Sequence, residues 1–595
     1  MGSDHLRWCS PSILCLLACG GGLRPFALRS PFVVDTDLRP VYVDCEPRPT
    51  DKEPDHVSCA PEPYVSPLAW DAADNTIFRP LARSFAVDPV EPAWNVNSFD
   101  EVPDSAWFTN RLGKQKPSRA ALLAGACAPD DVLDADQAPP GSWVIDQGKP
   151  NGATPGFRIR VADKFKFLLK TDTRDQPERP TAASAIGAAL YHAVGFNTSC
   201  EQIVYFDPAV LTLKPGLVAT DNSGFSRAFD QDQLEWVLRQ AAWRGDRVRM
   251  QASAWLPGYL LGPFRYEGTR KDDPNDVVPH QERRDLRGAR VLAAWINHFD
   301  AREQNTMDSW ISEDPVVSDA SPGHVRHYYL DTSDSFGSEW DWDEISRRLG
   351  HSYLLDFGYV ISDLITLGLI ERPWERVRRT PGFELFGYFH YREFDPAKWK
   401  NEYPNPAFSR ATEHDNAWMA RILSRLDRED IDALVTLGKF TRPEHSAYLA
   451  EVLEQRLRRI LARYFRDLSP LSDVRLMGTS GLCLTDLARR RSVAPEGAFR
   501  YQAQLHRAAS VSALEVQVRR AGELCLTLPH QSFELGLREA DPSRYTVLVI
   551  ANGQSRYAMG LHLYDLGPKR GFRLVGLERP QATLQEVSQT LGDAR

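Results

Sequence analysis

The chain has 595 residues, a mass of 67.1 kDa and a formal net charge of −9. A hydrophobic fraction of 42% and a charged fraction of 25% are ordinary for globular proteins and exclude a mainly disordered chain. The acidic balance argues against nucleic acid as a partner, because binding to the phosphate backbone needs a basic surface. We therefore expect a globular protein with several domains.

The chain opens with MGSDHLRWCSPSILCLLACGGG, which is typical of a targeting segment. Arg7 supplies a positive charge, residues 8–17 are largely apolar, and small residues follow, as in a secretory signal. The L-L-A-C sequence at 16–19 resembles the lipobox of bacterial lipoproteins. This resemblance implies a signal peptide at 1–18 and a lipidated Cys19 that anchors the chain to a membrane of the bacterial cell envelope, facing the periplasm or the cell surface. The alternative is a buried apolar segment with a chance cysteine.

Export would change the interpretation of the remaining cysteines. Six are left after processing, and an even number in an oxidising compartment permits up to three disulfides: Cys45, Cys59, Cys127, Cys200, Cys483 and Cys525. A Pro- and charge-rich stretch between Cys45 and Cys59 favours a local bridge there, but the pattern does not determine the other pairings. The sequence contains no CxxC and no HExxH, so it gives no support for a zinc site.

Residues 19–125 have little periodicity and predict an irregular N-terminal extension rich in Pro, Asp and aromatic residues. Within it, residues 70–85 and 95–111 predict ordered loops held by Trp and Phe side chains. Residues 126–270 predict a small β-rich lobe, because apolar and charged residues alternate over 157–161 as in a half-buried strand. Further strands are predicted at 142–146, 202–206 and 247–255, and a helix at 181–194 with Gly195 at its C-cap.

Residues 271–470 predict a helical lobe. A 3.6-residue apolar period runs through 281–298, a strand-like passage covers 306–331, and residues 343–470 are mostly helical. Thr441 and Glu444 match a capping box that would open one of these helices. Residues 272–287 predict a helix cap with exposed charges; in the alternative, Arg283 or Arg284 contacts a phosphate or an acceptor. Short apolar runs between turn residues predict a β-sandwich-like domain over 471–595.

The stretch that is most informative about chemistry lies at 295–337. His298, Asp300 and Asn305 follow a predicted helix with the spacing H-x-D-x-x-x-x-N, and Asp331 ends a strand 26 residues later. This set resembles the catalytic core of the protein-kinase-like fold. The resemblance implies that Asp300 is the catalytic base, that Asn305 and Asp331 bind Mg²⁺, and that His298 has at most an orienting role. Amide and carboxylate oxygens are the ligands that Mg²⁺ prefers.

The upstream elements follow the order of the same fold. A turn-rich stretch with Gly148, Gly152 and Gly156 precedes a strand that ends at Lys170, and a helix comes next. By resemblance, the glycines would cover the phosphates of an ATP-like nucleotide and Lys170 would pair with them. The pattern is closest to atypical kinases such as spore-coat-type and HipA-like toxin kinases. The strict G-x-G-x-x-G loop is not present.

Two features depart from the kinase pattern. The helix at 181–194 contains no glutamate that could pair with Lys170; Ser184 lies near the expected position and Glu178 precedes the helix. The metal-binding D-F-G is replaced by Asp331-Thr332-Ser333, with Asp334 directly after it and a glycine only at 337. Either change could alter the geometry of the site or remove its activity.

The sequence therefore predicts an α+β protein with a two-lobed kinase-like core, an irregular N-terminal extension and a C-terminal β-sandwich-like domain. Three functions stay open. The first is a lipid-anchored phosphotransferase that uses Mg²⁺ and a nucleotide, with an unknown protein or small-molecule acceptor. The second is an inactive pseudokinase, which the missing helix glutamate and the scarcity of nucleotide outside the cytoplasm favour. The third is a structural envelope lipoprotein whose β domain binds a partner or a glycan.

Overall fold

The computed structural model describes residues 23, 35–43, 45–48, 55–65, 67–84, 90–149, 154–220, 225–314, 319–508, 510–533 and 537–593. Cys19, Gly152 and the expected signal peptide at 1–18 lie outside these residues. The protein is a mixed α/β molecule with several sheets. It divides into two compact units: the described residues of 29–470 with 487–496 form one, and those of 471–486 and 497–593 form the other together with Leu23.

The N-terminal extension contains short regular elements: β1 (Glu46–Pro47), β2 (Val57–Ser58), α1 (Leu68–Ala73), a π-helical turn (Asp74–Phe78), α2 (Arg79–Ser84) and α3 (Arg119–Ala124). The predicted loop at 70–85 is therefore wrong, since the chain is helical from 68 to 84. Contacts distant in sequence hold this helix, which local periodicity cannot show: Asp71 accepts a hydrogen bond from Tyr403, and Arg79 pairs with Glu267 at 3.0 Å. The loop at 95–111 contains no helix or strand, as expected.

The predicted β-rich lobe contains most strands of the larger unit: β3 (Trp143–Gly148), β4 (Gly156–Val161), β5 (Phe165–Lys170), α4 (Arg179–Val194), β6 (Asn197–Thr198), β7 (Glu201–Phe206), β8 (Leu211–Leu213), β9 (Val218–Thr220), β10 (Ser226–Ala228), α5 (Gln231–Gln240), β11 (Trp243–Arg244) and β12 (Arg247–Ala254). Seven of them form one sheet in the order β11-β12-β5-β4-β3-β8, with β7 also paired to β12. Helix α4 ends at Gly195, whose φ of 147° lies outside the usual range of other residues.

The following elements are β13 (Tyr259–Gly262), α6 (Arg284–Ile296), β14 (Thr306–Ser312), β15 (Gly323–Tyr329), α7 (Asp343–Arg348), α8 (Phe357–Thr366), α9 (Pro406–Ser409), α10 (Glu413–Leu423), α11 (Arg428–Val435), α12 (Pro443–Tyr464) and α13 (Leu487–Arg490). Strands β13, β14, β15 and β6 form a second sheet in that order. Because β6 directly follows α4 and runs parallel to β15, this sheet brings the C-terminal end of α4 to the strand that precedes Asp331.

Two expectations for the helical part are wrong. Helix α12 has Arg442, not Thr441, at its N-cap and lacks a side-chain cap; Thr441 instead donates hydrogen bonds to the carboxylate of Glu178. Arg283 and Arg284, expected as exposed charges or phosphate contacts, are buried in ion pairs: Arg283 with Asp35, and Arg284 with carboxylates of residues 100 and 415. Local sequence cannot show these partners, because they lie far away along the chain.

The smaller unit is built from β16 (Leu471–Met477), β17 (Gly481–Asp486), β18 (Gln502–His506), β19 (Val511–Leu514), β20 (Gln517–Val518), β21 (Glu523–Thr527), β22 (Tyr545–Ala551), β23 (Met559–Asp565), β24 (Phe572–Glu578) and α14 (Leu584–Asp593). The strands form two antiparallel sheets, β16-β17-β21-β20 and β19-β18-β22-β23-β24. Leucines from both sheets share one core, and α14 adds Leu584 and Val587 to a second core with β22. The unit is therefore rich in β-strands, as the alternating pattern of the sequence indicated.

The six cysteines form three disulfides: Cys45–Cys59, Cys127–Cys200 and Cys483–Cys525. The first is the expected local bridge. The third joins directly paired residues of β17 and β21. None of the helices in the described part of the chain combines the length and the apolar character that a membrane crossing requires.

Candidate functional site

The buried Lys170 and the partly exposed Asp331 form an ion pair. Lys170 is the last residue of β5 and only 5% exposed, and its Nζ lies 3.1 Å from Oδ2 of Asp331. Asp331 has a φ of 38°, a conformation that is uncommon for residues other than glycine, and its Oδ1 accepts a hydrogen bond from the Ser333 hydroxyl at 2.6 Å. The Asp331 side chain is still 34% exposed. The pair therefore presents a carboxylate edge that a ligand can reach.

Both groups of the pair are ionised. Burial alone would raise the pKa of Asp331, but the Lys170 ammonium, the Ser333 hydroxyl and the Lys149 ammonium outweigh it and hold this pKa well below its usual range. Burial alone would lower the pKa of Lys170, but the Asp331 and Glu201 carboxylates raise it above the ordinary value. A metal ligand must be deprotonated, so Asp331 is ready to bind a cation at neutral pH.

A second lysine lies beside the pair. Lys149 is half-buried, follows Gly148 at the end of β3, and donates a hydrogen bond to the Thr154 carbonyl at 2.6 Å. Burial and the Lys170 ammonium lower the pKa of Lys149 to about 8, against the opposing influence of Asp331. Both lysines are therefore cationic at pH 7. Sequence reasoning missed Lys149, although its place within the glycine-containing stretch was a usable signal.

Glu201, which sequence reasoning also missed, supplies a second carboxylate near Lys170. Strand β12 pairs with both β5 and β7, so Gln251 lies opposite Lys170 and Ser253 lies opposite Glu201. The Glu201 carboxylate accepts hydrogen bonds from Gln251 at 2.5 Å and from Ser253 at 2.6 Å. Burial raises the pKa of Glu201 and the Lys170 ammonium lowers it, with a net increase. The sequence placed Glu201 directly before the strand predicted at 202–206, and the observed strand begins at this residue.

Glu178 and Ser184 lie near the position where the kinase fold would have a helix glutamate, and the structure gives each of them different contacts. Glu178 accepts hydrogen bonds from Thr441 through its carboxylate. Ser184 lies on α4 and lines a very small cavity, of about 10 Å³, together with Glu201 and Asp331. The glutamate near Lys170 therefore comes from a strand and not from helix α4.

Asp300, the predicted catalytic base, contacts Asn305, whose amide was predicted to bind the metal ion. Asn305 Nδ2 donates hydrogen bonds to Oδ2 of Asp300 at 2.8 Å and to the Asp300 carbonyl at 2.7 Å. Arg302 lies 2.8 Å from the other Asp300 oxygen and 2.6 Å from Glu402. Burial raises the pKa of Asp300 well above its usual range, and Arg302 opposes this increase. The Asn305 amide nitrogen is thus committed to Asp300, which leaves its amide oxygen as the atom that could bind a cation.

Backbone hydrogen bonds join this loop to the segment of Asp331. The amide of Leu330 donates to the Asn305 carbonyl at 2.9 Å, directly before Asp331. His298 lies in the same loop, buried, with its Nδ1 2.9 Å from the Tyr191 hydroxyl. Burial lowers the pKa of His298 to about 4, although nearby carboxylates oppose this. His298 is therefore neutral and held by Tyr191, and the orienting role expected from the sequence stays a prediction.

Helix α4 holds the Asp331 segment from the other side. Arg179, its first residue, donates hydrogen bonds to the carbonyls of Ser333 at 2.7 Å and Ser335 at 2.8 Å. Thr332 donates to the Ala183 carbonyl at 3.1 Å, and Gly187 lies so close to Thr332 that a Cβ atom would overlap its hydroxyl. The small residues of α4 therefore allow the close approach that fixes Asp331.

Packing accounts for two of the three glycines predicted to cover phosphates. A Cβ atom on Gly148 would overlap the ring of Phe229, and one on Gly156 would overlap the Leu169 carbonyl. Gly148 ends β3 and Gly156 begins β4, so both are strand residues. The loop between them contains Gly152, outside the described residues.

No protein-family model, no curated protein and no solved structure matches this chain. The interpretation of the site therefore depends on the side chains that meet there.

Proposed function

We propose that the larger unit is a two-lobed, kinase-like phosphotransferase that uses Mg²⁺ and an ATP-like nucleotide and acts on a protein or small-molecule acceptor. The ion pair between the buried Lys170 and the partly exposed Asp331 is the observation that carries this proposal. Other ion pairs of this unit, such as Arg283 with Asp35, are closed to solvent, whereas the Asp331 carboxylate is 34% exposed and can contact a ligand. Charged groups held in unusual surroundings occur most often at functional sites.

The residues present suit a magnesium ion and phosphate groups. The ionised Asp331 carboxylate and the Asn305 amide oxygen would hold the ion, which supplies charge neutralisation at the phosphate oxygens. Lys170 and Lys149 would contact the phosphates, since both are cationic at pH 7. Asp300 would accept the proton of the acceptor hydroxyl, and the contacts of its two oxygens with Arg302 and Asn305 fix the orientation of the carboxylate.

The Asp331→Asn variant tests this function. Thermal unfolding is measured at pH 7 with Mg²⁺ and a panel of nucleotides, together with phosphoryl release. We expect at least one nucleotide to stabilise the wild-type protein, by about 2.7 kcal/mol at a hundredfold excess over Kd. The variant should lose this effect, because its amide cannot replace the anionic ligand. The exposed Asp341→Asn serves as the matched control. Absence of any stabilisation by nucleotide or metal in the wild type would refute the proposal.

A pseudokinase is the second candidate, and a specific contact favours it. The Asn305 amide and the Asp300 carboxylate already satisfy each other, and α4 carries no glutamate. A protein with this arrangement could keep a nucleotide without transferring its phosphoryl group. The same experiment distinguishes the two candidates, because stabilisation by nucleotide without phosphoryl release identifies the inactive form.

We also propose that Cys19 is lipidated and anchors the protein to a membrane of a bacterial envelope; the L-L-A-C sequence supports this. Metabolic labelling with a palmitate analogue in a bacterial host provides the test. We expect the wild-type chain to take up the label and Cys19→Ala to lose it, because only this thiol would be acylated. Cys15→Ala, which changes the other cysteine of the same apolar stretch, should leave labelling intact. Equal labelling of all three chains would contradict the anchor.

A further inference from the structure

Helix α8 and its flanks expose a continuous run of large apolar side chains. We call residues 354–370, LLDFGYVISDLITLGLI, the apolar strip. None of the α8 residues is buried, and the side chains of Leu364, Leu367 and Leu369 are 76%, 83% and 87% exposed. The other exposed apolar members are Leu354, Leu355, Phe357, Val360, Ile361, Ile365 and Ile370. A contiguous patch of this kind marks an interaction surface.

The apolar residues of α8 follow the helical period. Phe357, Val360, Ile361 and Leu364 are spaced i, i+3, i+4 and i+7, so they share one side of the helix. In an ordinary surface helix this side faces the core. Here it is exposed, and a residue outside this set, Tyr359, meets Trp374 edge-to-face with ring centroids 4.9 Å apart. The helix is therefore attached through its polar side and presents its apolar side outwards.

The carboxylates of the apolar strip are neutralised within the protein. The strip contains two, Asp356 and Asp363. Asp356 is buried and lies 2.5 Å from the Lys400 ammonium, while Asp363 pairs with Arg372. The outward surface is thus free of unpaired acidic charge, which matters because an unpaired charge is costly to move into an apolar phase.

Arginines border the strip. Residues 372–379, RPWERVRR, carry four arginines and one glutamate. Arg378 is exposed, and its hydrogen bonds go to the carbonyls of Glu375 and Val377 and not to a carboxylate. This guanidinium can therefore pair with an external anion.

A cavity of about 380 Å³ adjoins the strip and has an excess of cations. Tyr359 of α8 lines it together with four cations, Arg372, Arg376, Lys398 and Arg456, and three carboxylates, Glu371, Glu393 and Asp395. Arg456 is buried, stacks on the ring of Phe394 at 3.6 Å, and donates to the carbonyls of Trp295 and His390. No carboxylate pairs with Arg456 among the described residues. The cavity and the arginine border therefore favour an anionic partner.

We propose that the apolar strip docks on the surface of an anionic phospholipid bilayer, with its aliphatic side chains among the acyl chains and the bordering arginines at the headgroups. A ten-residue helix is too short to cross a bilayer and suits the interface. Protein partners are oriented by polar groups within an interface, and this surface offers aliphatic side chains almost alone. The fluid acyl chains of a bilayer can cover aliphatic side chains without matching polar groups. Trp342, 70% exposed just before α7, supplies an interfacial aromatic side chain.

Vesicle flotation tests the proposal independently of lipidation and of phosphotransfer. The full chain with Cys19→Ser is mixed with vesicles of phosphatidylcholine alone or of phosphatidylcholine with phosphatidylglycerol. We expect binding to the anionic vesicles, and a loss of at least about tenfold in Leu364→Gln/Leu367→Gln/Leu369→Gln. The matched control is Tyr42→Gln/Val65→Gln/Val511→Gln, which removes exposed apolar side chains elsewhere and should bind like the parent chain. Arg378→Gln should weaken binding to anionic vesicles only.

Three results would overturn the docking proposal. One is absence of binding to either kind of vesicle. Another is equal binding by the strip variant and its control, which would place the lipid contact elsewhere, for example in the N-terminal apolar stretch that all these chains share. The third is self-association in analytical ultracentrifugation that the strip variant abolishes while vesicle binding is absent. That result would identify a second copy of this chain as the occupant.

Discussion

Replacement of Lys170 by methionine is expected to abolish nucleotide binding and to reduce the free energy of unfolding by about 3 kcal/mol. The Lys170 ammonium is buried and lies 3.1 Å from Asp331, with Glu201 as its second acidic neighbour. Methionine fills a similar volume but leaves both carboxylates without their cation. Urea unfolding measures the loss of stability, and thermal unfolding with Mg²⁺ and nucleotide measures the loss of binding.

A second substitution separates the two roles of Lys170. Glu201→Gln in the Lys170→Met background removes one of the uncompensated charges and should restore part of the stability, whereas nucleotide binding should stay absent. Lys164→Met is the control, because this lysine is exposed one position before the same strand begins. If Lys170→Met were as stable as Lys164→Met, the ion pair would not contribute to the fold. If Lys170→Met still bound nucleotide, the lysine would not be a phosphate contact.

Local patterns predicted many of the elements well. The helix expected at 181–194 runs from Arg179 to Val194, and the strand expected at 247–255 runs from Arg247 to Ala254. The strand alternates along the chain, whereas the helix is buried on nearly every side and was marked by its run of small and apolar residues before Gly195. The helix over 68–84 was missed because its stability depends on distant partners such as Tyr403 and Glu267. The order of strands in the large sheet was equally inaccessible, since the pairing of β12 with both β5 and β7 joins segments far apart in sequence.

In the candidate site, too, local features could be predicted from the sequence and tertiary contacts could not. The spacing of His298, Asp300 and Asn305 is a local property, and a strand end marked Asp331, so the sequence could indicate these residues. Lys170 and Asp331 were assigned to one site only through the resemblance to a known fold, and their direct contact was not predicted.

The electrostatics of the site could not be predicted. The glycine-containing stretch could have indicated Lys149, but the pKa values of Glu201 and Lys149 change only because the fold buries these residues beside Lys170. Burial and proximity are tertiary properties, which a single sequence does not contain.

Arg283→Met is expected to destabilise the protein by about 3–5 kcal/mol, because it removes the cation from a buried acidic cluster. Arg283 is 1% exposed; it pairs with Asp35 and lies 3.6 Å from both Asp37 and Asp285. Burial and the neighbouring Asp35 raise the pKa of Asp37, although Arg283 opposes them. Without the guanidinium, Asp35 and Asp37 would face each other uncompensated. Urea unfolding measures the effect, and proteolysis before residue 65 shows whether the extension is released.

The double change Asp35→Asn/Asp37→Asn in the Arg283→Met background should recover much of the lost stability, since it removes the repulsion that the single variant creates. Arg239→Met is the control: its guanidinium is exposed and pairs with Glu235 at 3.7 Å, a contact worth about 0–1 kcal/mol.

The acidic cluster around Arg283 joins the N-terminal extension to the beginning of α6, and α6 ends just before the loop of Asp300. Arg283→Met should therefore also weaken nucleotide binding, although the residue contacts no part of the site. A variant as stable as Arg239→Met would show that the extension is not held by this cluster.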